Sequence, residues 1–209
     1  MKNQTNNIGV FGPRIFIIIA IFCMISVAQA LAQKDEFKRV EVSGGYSFTK
    51  AALKSEQPPV PNGWTAGGAF KIKESLAIYG EAGFDRKLEN FGPAFGKRLH
   101  TRTSYLGGLR FYFKNESRVT PFVNAGLGSV RYWTNDISSN GLKSPGYGTT
   151  TLLVAGGGGL DIAINKKGSL SWRNSAEMRR GEPDPDLGPN SKQPTRVAFR
   201  FMSGIVFKF

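Results

Sequence analysis

Eight stretches of this chain alternate apolar residues with polar, charged or small ones at a period of two, each over roughly nine to thirteen residues. That period belongs to an extended strand whose two faces meet different surroundings. Strands in ordinary globular domains run to about 5–6 residues, whereas a strand crossing a bilayer at a tilt needs roughly 9–11. In Val40-Glu41-Val42-Ser43-Gly44-Gly45-Tyr46-Ser47-Phe48 the even positions are apolar or glycine and the odd ones charged or small. Trp64, Ala66, Gly68, Phe70 and Ile72 share a face of the second stretch. In the third, Leu76, Ile78, Gly80, Ala82 and Phe84 oppose Tyr79, Glu81 and Asp85. The fourth sets Tyr105, Gly107, Leu109, Phe111 and Phe113 against Arg110. The fifth, residues 119–133, is the least regular, with Val123, Ala125 and Leu127 on one side and Asn124 on the other. Leu152, Val154, Leu160, Ile162 and Ile164 oppose Asp161 in the sixth. Leu170, Trp172, Ala176 and Met178 oppose Arg173, Glu177 and Arg179 in the seventh. In the eighth, Val197, Phe199, Phe201, Ile205, Phe207 and Phe209 oppose Arg200, Gly204 and Lys208.

The connections have a rhythm of their own. Long segments at residues 50–63, 86–103, 134–150 and 181–194 alternate with short ones at 73–75, 114–118 and 165–169. Long loops at one end and short turns at the other are the habit of membrane barrels, with the turns on the periplasmic side. An even number of strands also returns both ends of the chain to that side. The prediction is an all-β fold, a closed eight-stranded antiparallel up-and-down transmembrane β-barrel.

The distribution of charge decides which face points outward. One face carries Glu41, Lys71, Glu81, Asp85, Arg110, Asp161, Arg173, Glu177, Arg179 and Arg200 among small residues such as Ser43, Gly45, Gly67, Gly83, Gly108, Gly157 and Gly159. Eight strands enclose a bore just wide enough for side chains. Small residues and opposite charges suit that volume, leaving Leu, Ile, Val, Phe and Trp to meet lipid. Closure is required because every backbone polar group inside a bilayer needs a partner. The interior charges are then expected to pair across strands, Glu177 with Arg200 for example. Asn174 and Ser203 fall on the lipid face without an evident reason.

The first thirty-odd residues read differently. Lys2 and Arg14 precede an unbroken apolar run from Ile15 to Val27, followed by Ala28-Gln29-Ala30-Leu31-Ala32-Gln33. A basic start, an apolar run too short to span and small-x-small cleavage sites predict a secretory signal at residues 1–32, with the barrel domain at 33–209. Cys23, the only cysteine, lies within it, and Phe22 before it does not suit a lipoprotein. A mature chain without cysteine has no disulfide and no thiolate metal site. Of 28 basic residues Lys2 and Arg14 leave with the signal, so 26 remain against 15 acidic ones, a net charge of +11. For an exported chain the expected counter-charge is anionic lipopolysaccharide or acidic glycan, with nucleic acid excluded as a partner.

The C-terminus, Met202-Ser203-Gly204-Ile205-Val206-Phe207-Lys208-Phe209, resembles the signal read by the barrel-assembly machinery. Its terminal aromatic Phe209, the hydrophobic Phe207 two residues earlier and Gly204 match; Met202 departs from the usual polar residue. The segment Val119-Thr120-Pro121-Phe122-Val123-Asn124-Ala125-Gly126-Leu127-Gly128 resembles the glycine-rich middle strand of OmpA/OmpX-type, opacity-like barrels of Gram-negative outer membranes. The resemblance covers nearly the whole mature chain. It implies an outer-membrane location, outer-membrane lipid and lipopolysaccharide as surroundings, and the assembly machinery as a partner. It says little of activity, since such barrels include anchors, adhesins, resistance factors and a few enzymes.

Residues that could carry chemistry are few. Barrel enzymes that modify lipid A pair a histidine with a serine. Here His100, the sole histidine, is expected at the end of the second long loop, and Ser104 is four positions on. Positions four apart in a strand are about 13 Å apart, too far for a hydrogen bond, so His100 reads as a solvated loop residue. Gly156-Gly157-Gly158-Gly159 lies inside a strand pattern with no Lys-Ser/Thr after it, which excludes a phosphate-binding loop. Asp184 and Asp186 sit between prolines in a stiff polar loop, a weak calcium candidate at most. Lys50, Lys54, Arg86, Lys87, Lys97, Arg98 and Arg102 are expected to gather in the first two outer loops, against lipopolysaccharide phosphates or a surface glycan. No catalytic residue, cofactor or metal is predicted. The leading function is a structural or surface-interaction role carried by four outer loops. The alternatives are a narrow pore, a lipid-A-modifying enzyme and a soluble exported binding barrel.

Overall fold

The computed structural model describes residues 38–51, 60–90, 97–135, 137–139, 142–144, 146, 148–182 and 196–209. The signal segment, Lys54, Asp184 and Asp186 lie outside them. The described strands are β1 (Val40–Ala51), β2 (Val60–Lys73), β3 (Leu76–Asn90), β4 (Lys97–Tyr112), β5 (Val119–Thr134), β6 (Ile137–Ser139), β7 (Leu142–Ser144), β8 (Gly148–Ala163), β9 (Leu170–Glu182) and β10 (Arg196–Lys208). Eight of them close a barrel in the order β1-β2-β3-β4-β5-β8-β9-β10, every pair antiparallel, while β6 and β7 form a separate two-stranded hairpin. The fold is thus the closed up-and-down barrel that the alternation requires.

The last strand seals against the first. Gly45 stands opposite Gly204 and Val42 opposite Phe207, and Phe209 exchanges backbone hydrogen bonds with Val40 at 2.9 and 3.2 Å. At the seam the strands approach so closely that a Cβ on Gly204 would lie 2.4 Å from the Gly44 carbonyl oxygen and 2.6 Å from the Gly45 Cα. No side chain fits between two backbones at that distance.

The apolar face does point away from the barrel. Trp64, Phe70, Ile78, Leu109, Leu127, Leu152, Trp172, Phe201 and Phe207 are exposed on the outer wall. Phe70, Phe111, Phe113, Phe207 and Trp172 lie toward the short-turn end, and Trp64, Phe84, Tyr105 and Trp133 toward the other. Two aromatic girdles around an apolar band mark the two interfaces of a bilayer. Asn174 and Ser203 face each other across β9 and β10 on this wall. The Trp172 indole N–H donates to the Ser203 hydroxyl at 2.8 Å, which supplies the reason for that serine that the sequence lacks.

Two sequence expectations need correction. The strands outlast the alternation, since residues 86–90 and 97–103, expected as loop, belong to β3 and β4, and Arg86 to Asn90 pair in register with Thr101 to Lys97. The third long connection also holds the β6–β7 hairpin. The cause is physical: once a strand rises above the lipid, its outer face no longer has to be apolar, so the ladder continues while the pattern fades. At about 3.3 Å per residue and a tilt near 40°, the 16-residue strands β4, β5 and β8 rise roughly 40 Å, against an apolar band about 25 Å tall. The second correction concerns the bore, which is not lined by small and charged residues alone. Tyr79, Leu106, Tyr112, Phe122, Val130 and Leu153 point inward and form a buried apolar cluster.

Candidate functional site

The bore is where this sequence concentrates buried charge, and the charges arrive from the inward positions of many strands. At the short-turn end, Glu41 of β1 accepts from Arg173 of β9 at 3.0 Å and from the Tyr112 hydroxyl of β4 at 2.7 Å. Lys71 of β2 reaches its other oxygen at 3.1 Å. Arg173 also forks onto Asp161 of β8, Nε to Oδ1 at 2.7 Å and Nη2 to Oδ2 at 2.8 Å, and Lys208 of β10 joins that carboxylate at 2.8 Å. Bidentate guanidinium–carboxylate pairs are among the strongest polar contacts available to a protein. Here they tie β1, β8, β9 and β10 together across the lumen.

A second layer sits higher. Arg179 meets Glu177 at 2.9 Å and Glu81 at 3.3 Å, while Arg200 contacts Glu81 directly and Glu177 at 3.7 Å. Asn124 donates to Glu177 at 2.8 Å and to Tyr79 at 3.3 Å. Toward the outer end, Arg102 donates to Asp85 and to Thr49, both at 2.9 Å. The apolar cluster belongs to the same network, because Arg110 stacks over Tyr79 and Phe122 and Arg173 over Phe122, with ring distances of 4.7–4.9 Å. Aromatic faces attract guanidinium planes, so Phe122 and Tyr79 share the burial of cations that the carboxylates only partly neutralise.

This packing fills the lumen. Arg173, Arg179 and Arg200 are exposed by 2% or less. Side chains lining a continuous water path would be wetted along it, and these are not.

The remaining candidates are redistributed. His100 is not a loop residue: it lies in β4 with its ring half-buried, and its Nδ1 contacts the Tyr132 hydroxyl of β5. Arg102, expected on the rim, is buried inside against Asp85. Lys50 and Arg86 do project outward near the outer ends of β1 and β3. Arg131 of β5 and Arg180 of β9, absent from the basic cluster expected above, join them on the outer wall. Arg86 lies over the Phe84 ring at 4.9 Å and Arg131 over Trp133 at 5.8 Å, at the level of the outer aromatic girdle. Parity along each strand is the signal that finds Arg131 and Arg180, since both sit in phase with lipid-facing neighbours. The tetraglycine is continuous strand within β8, paired with β5 and β9. Of the C-terminal signal residues, Gly204 lies in the seam, Phe207 on the lipid wall and Phe209 at the end of the ladder.

A family model described as the outer membrane protein beta-barrel domain matches residues 18–182. Among solved structures, a major outer membrane protein from Thermus thermophilus is similar at a TM-score of 0.57 and 9% identity, over 81% of this chain and 99% of that one. Ail, the attachment invasion locus protein of Yersinia pestis, gives 0.54 at 15% identity, over 82% and 99%. Neisserial surface protein A gives 0.53 at 14%, over 81% and 96%. Likenesses at these identities are likenesses of fold. The sequence matches no curated protein.

Proposed function

Since the chain belongs to the outer membrane protein beta-barrel family and is an integral protein of the outer membrane, we propose that it is a closed, non-conducting and non-catalytic barrel whose outer end serves structural or recognition roles. The observation that carries this reading is the filled lumen, in which Glu41, Glu81, Asp85, Asp161 and Glu177 each meet a cation and the central arginines are dry. Such packing supports a rigid platform for four loops over a pore. Planar-bilayer recording of the refolded protein is the test, with no unitary conductance expected. Stable, cation- or anion-selective steps would establish the pore instead.

A catalytic reading has little to stand on, since the His100 ring contacts the Tyr132 hydroxyl of β5 and Ser104, four positions on along its strand, is about 13 Å away. A shift in lipid-A mass that depends on His100 would reverse this conclusion. The soluble binding barrel is excluded by the outward apolar wall.

The same outer end suits lipopolysaccharide. Lys50, Arg86, Arg131 and Arg180 face outward above the apolar band, where phosphates of the outer leaflet stand. Each basic side chain near an anionic membrane surface contributes about 1 kcal/mol. Arg131→Gln/Arg180→Gln is therefore expected to weaken lipopolysaccharide binding by the refolded barrel about thirty-fold. Surface plasmon resonance on immobilised lipopolysaccharide measures it, and unchanged affinity would remove these residues from the contact. The C-terminal strand is, on this reading, the segment that the barrel-assembly machinery engages.

A further inference from the structure

Charge is not evenly shared along the lumen. In the middle layer Glu81 and Glu177 balance Arg179 and Arg200, and farther out Asp85 balances Arg102. At the short-turn end Lys71, Arg110, Arg173 and Lys208 share only Glu41 and Asp161. Lys38, just ahead of β1, crosses that mouth to donate to the backbone carbonyl of Lys167. Among the described side chains of this cluster five cations therefore meet two carboxylates, an excess of three before the carboxylate of Phe209, which accepts from Val40 beside Lys38, is counted. The two arginines are committed, one forked onto Asp161 and the other stacked between rings. The three lysines each engage a single oxygen, and Lys71 also stands over the Tyr112 ring at 4.8 Å.

We propose that the periplasmic mouth of the barrel is a binding site for a phosphate-bearing anion, held by the ammonium groups of Lys38, Lys71 and Lys208. Each ammonium has three donors. Lys71 commits one to Glu41 and Lys208 one to Asp161, which leaves donors for a ligand. Lys71 and Lys208 keep 13% and 10% of their side-chain surface, whereas the Arg173 behind them keeps 1%. The lysines thus form the accessible lip of the cluster. Their crowding is visible at Lys38: partial burial, and then the charges of Lys208, Lys71 and Lys167, push its ammonium below the usual lysine range. A phosphate group at the lip would relieve that repulsion, and compact ammonium charges suit a tetrahedral anion. The anion can come from a phosphorylated solute or from a phospholipid headgroup of the inner leaflet.

The test uses the full mature barrel, refolded in a nonionic detergent, with inorganic phosphate titrated at low ionic strength and followed by calorimetry. Saturable binding is expected. Lys38→Gln, which lies ahead of the first strand, should weaken it about fivefold, and Lys38→Gln/Lys208→Gln about twenty-five-fold. Lys114→Gln, on another short turn and paired there with Glu74, should leave it unchanged. If free phosphate binds weakly but phosphatidylglycerol vesicles are retained over phosphatidylcholine ones, with the same loss in the lysine variants, the ligand is the headgroup. The proposal is overturned if neither probe binds, or if binding survives in a doubly substituted protein whose unboiled gel mobility shows a folded barrel.

Discussion

Arg173→Met is expected to destabilise the barrel by about 3–5 kcal/mol, the usual cost of leaving a buried ion pair half broken. Among the described residues Arg173 is the one side chain that bonds both Glu41 and Asp161, and it is 1% exposed. Its removal takes from Glu41 and Asp161 the guanidinium they share and leaves them, among the described residues, Lys71, Lys208 and the more distant Arg110. The sign of a second experiment separates charge from packing. Keeping the cluster's net charge with Asp161→Asn in the Arg173→Met background should recover most of the loss, because exchanging a whole buried pair for neutral groups is often nearly neutral. Denaturant titration in lipid vesicles, read as the fraction of barrel that keeps its unboiled gel mobility, measures both. A single variant as stable as the native chain would show that the triad contributes nothing, and an unrecovered double variant would assign the effect to side-chain volume.

Gly204→Ala should reduce the folded fraction at least about tenfold, while Gly44→Ala, diagonally across the same seam, should fold normally. The two differ in what a methyl group would strike. At Gly204 it meets the Gly44 carbonyl oxygen at 2.4 Å and the Gly45 Cα at 2.6 Å, both backbone atoms that cannot turn aside. At Gly44 the nearest atom would be 3.9 Å away, ordinary contact on the outer wall. Overpacking of this kind costs about 1–3 kcal/mol. Prising β1 from β10 adds the cost of backbone groups left unpaired in hydrocarbon. Comparison of the two variants by heat-modifiability in isolated outer membranes tests the point. Equal folding of both would mean that the seam has slack the structure does not show. Loss of both would point to recognition of the terminal strands during assembly and not to closure.

How much of this is legible in the sequence depends on where lipid forces a pattern. Inside the bilayer the outer face has to be apolar, so Leu76, Ile78 and Phe84 alternating with Tyr79, Glu81 and Asp85 can be read as wall and lumen from the letters alone. The phase even runs unbroken through Gly156 to Gly159. Above the membrane that pressure ends, and Arg86 to Asn90 and Lys97 to Thr103 look like loop although they continue the β3–β4 ladder. His100 and Arg102 are misplaced with them. The fifth stretch blurs for a different reason. Phe122 and Val130 are inward and apolar, serving as ring and filler for the buried arginines, so neither face of β5 is cleanly polar. Partner choice inside the lumen is almost entirely beyond the sequence, since Arg173 and Glu41 lie 132 positions apart and meet only because β10 alone separates their strands.

The height of β4, β5 and β8 has a consequence of its own. A wall that continues for roughly 15 Å past the apolar band makes a turret, with its parapet raised clear of the lipid surface. The hydrogen-bonded ladder, and not the loops, carries that elevation. Whatever the loops bear is therefore displayed at a fixed altitude by a stiff tower. Their lengths and sequences can be rewritten freely on top of it, as a mast accepts a different flag without being rebuilt.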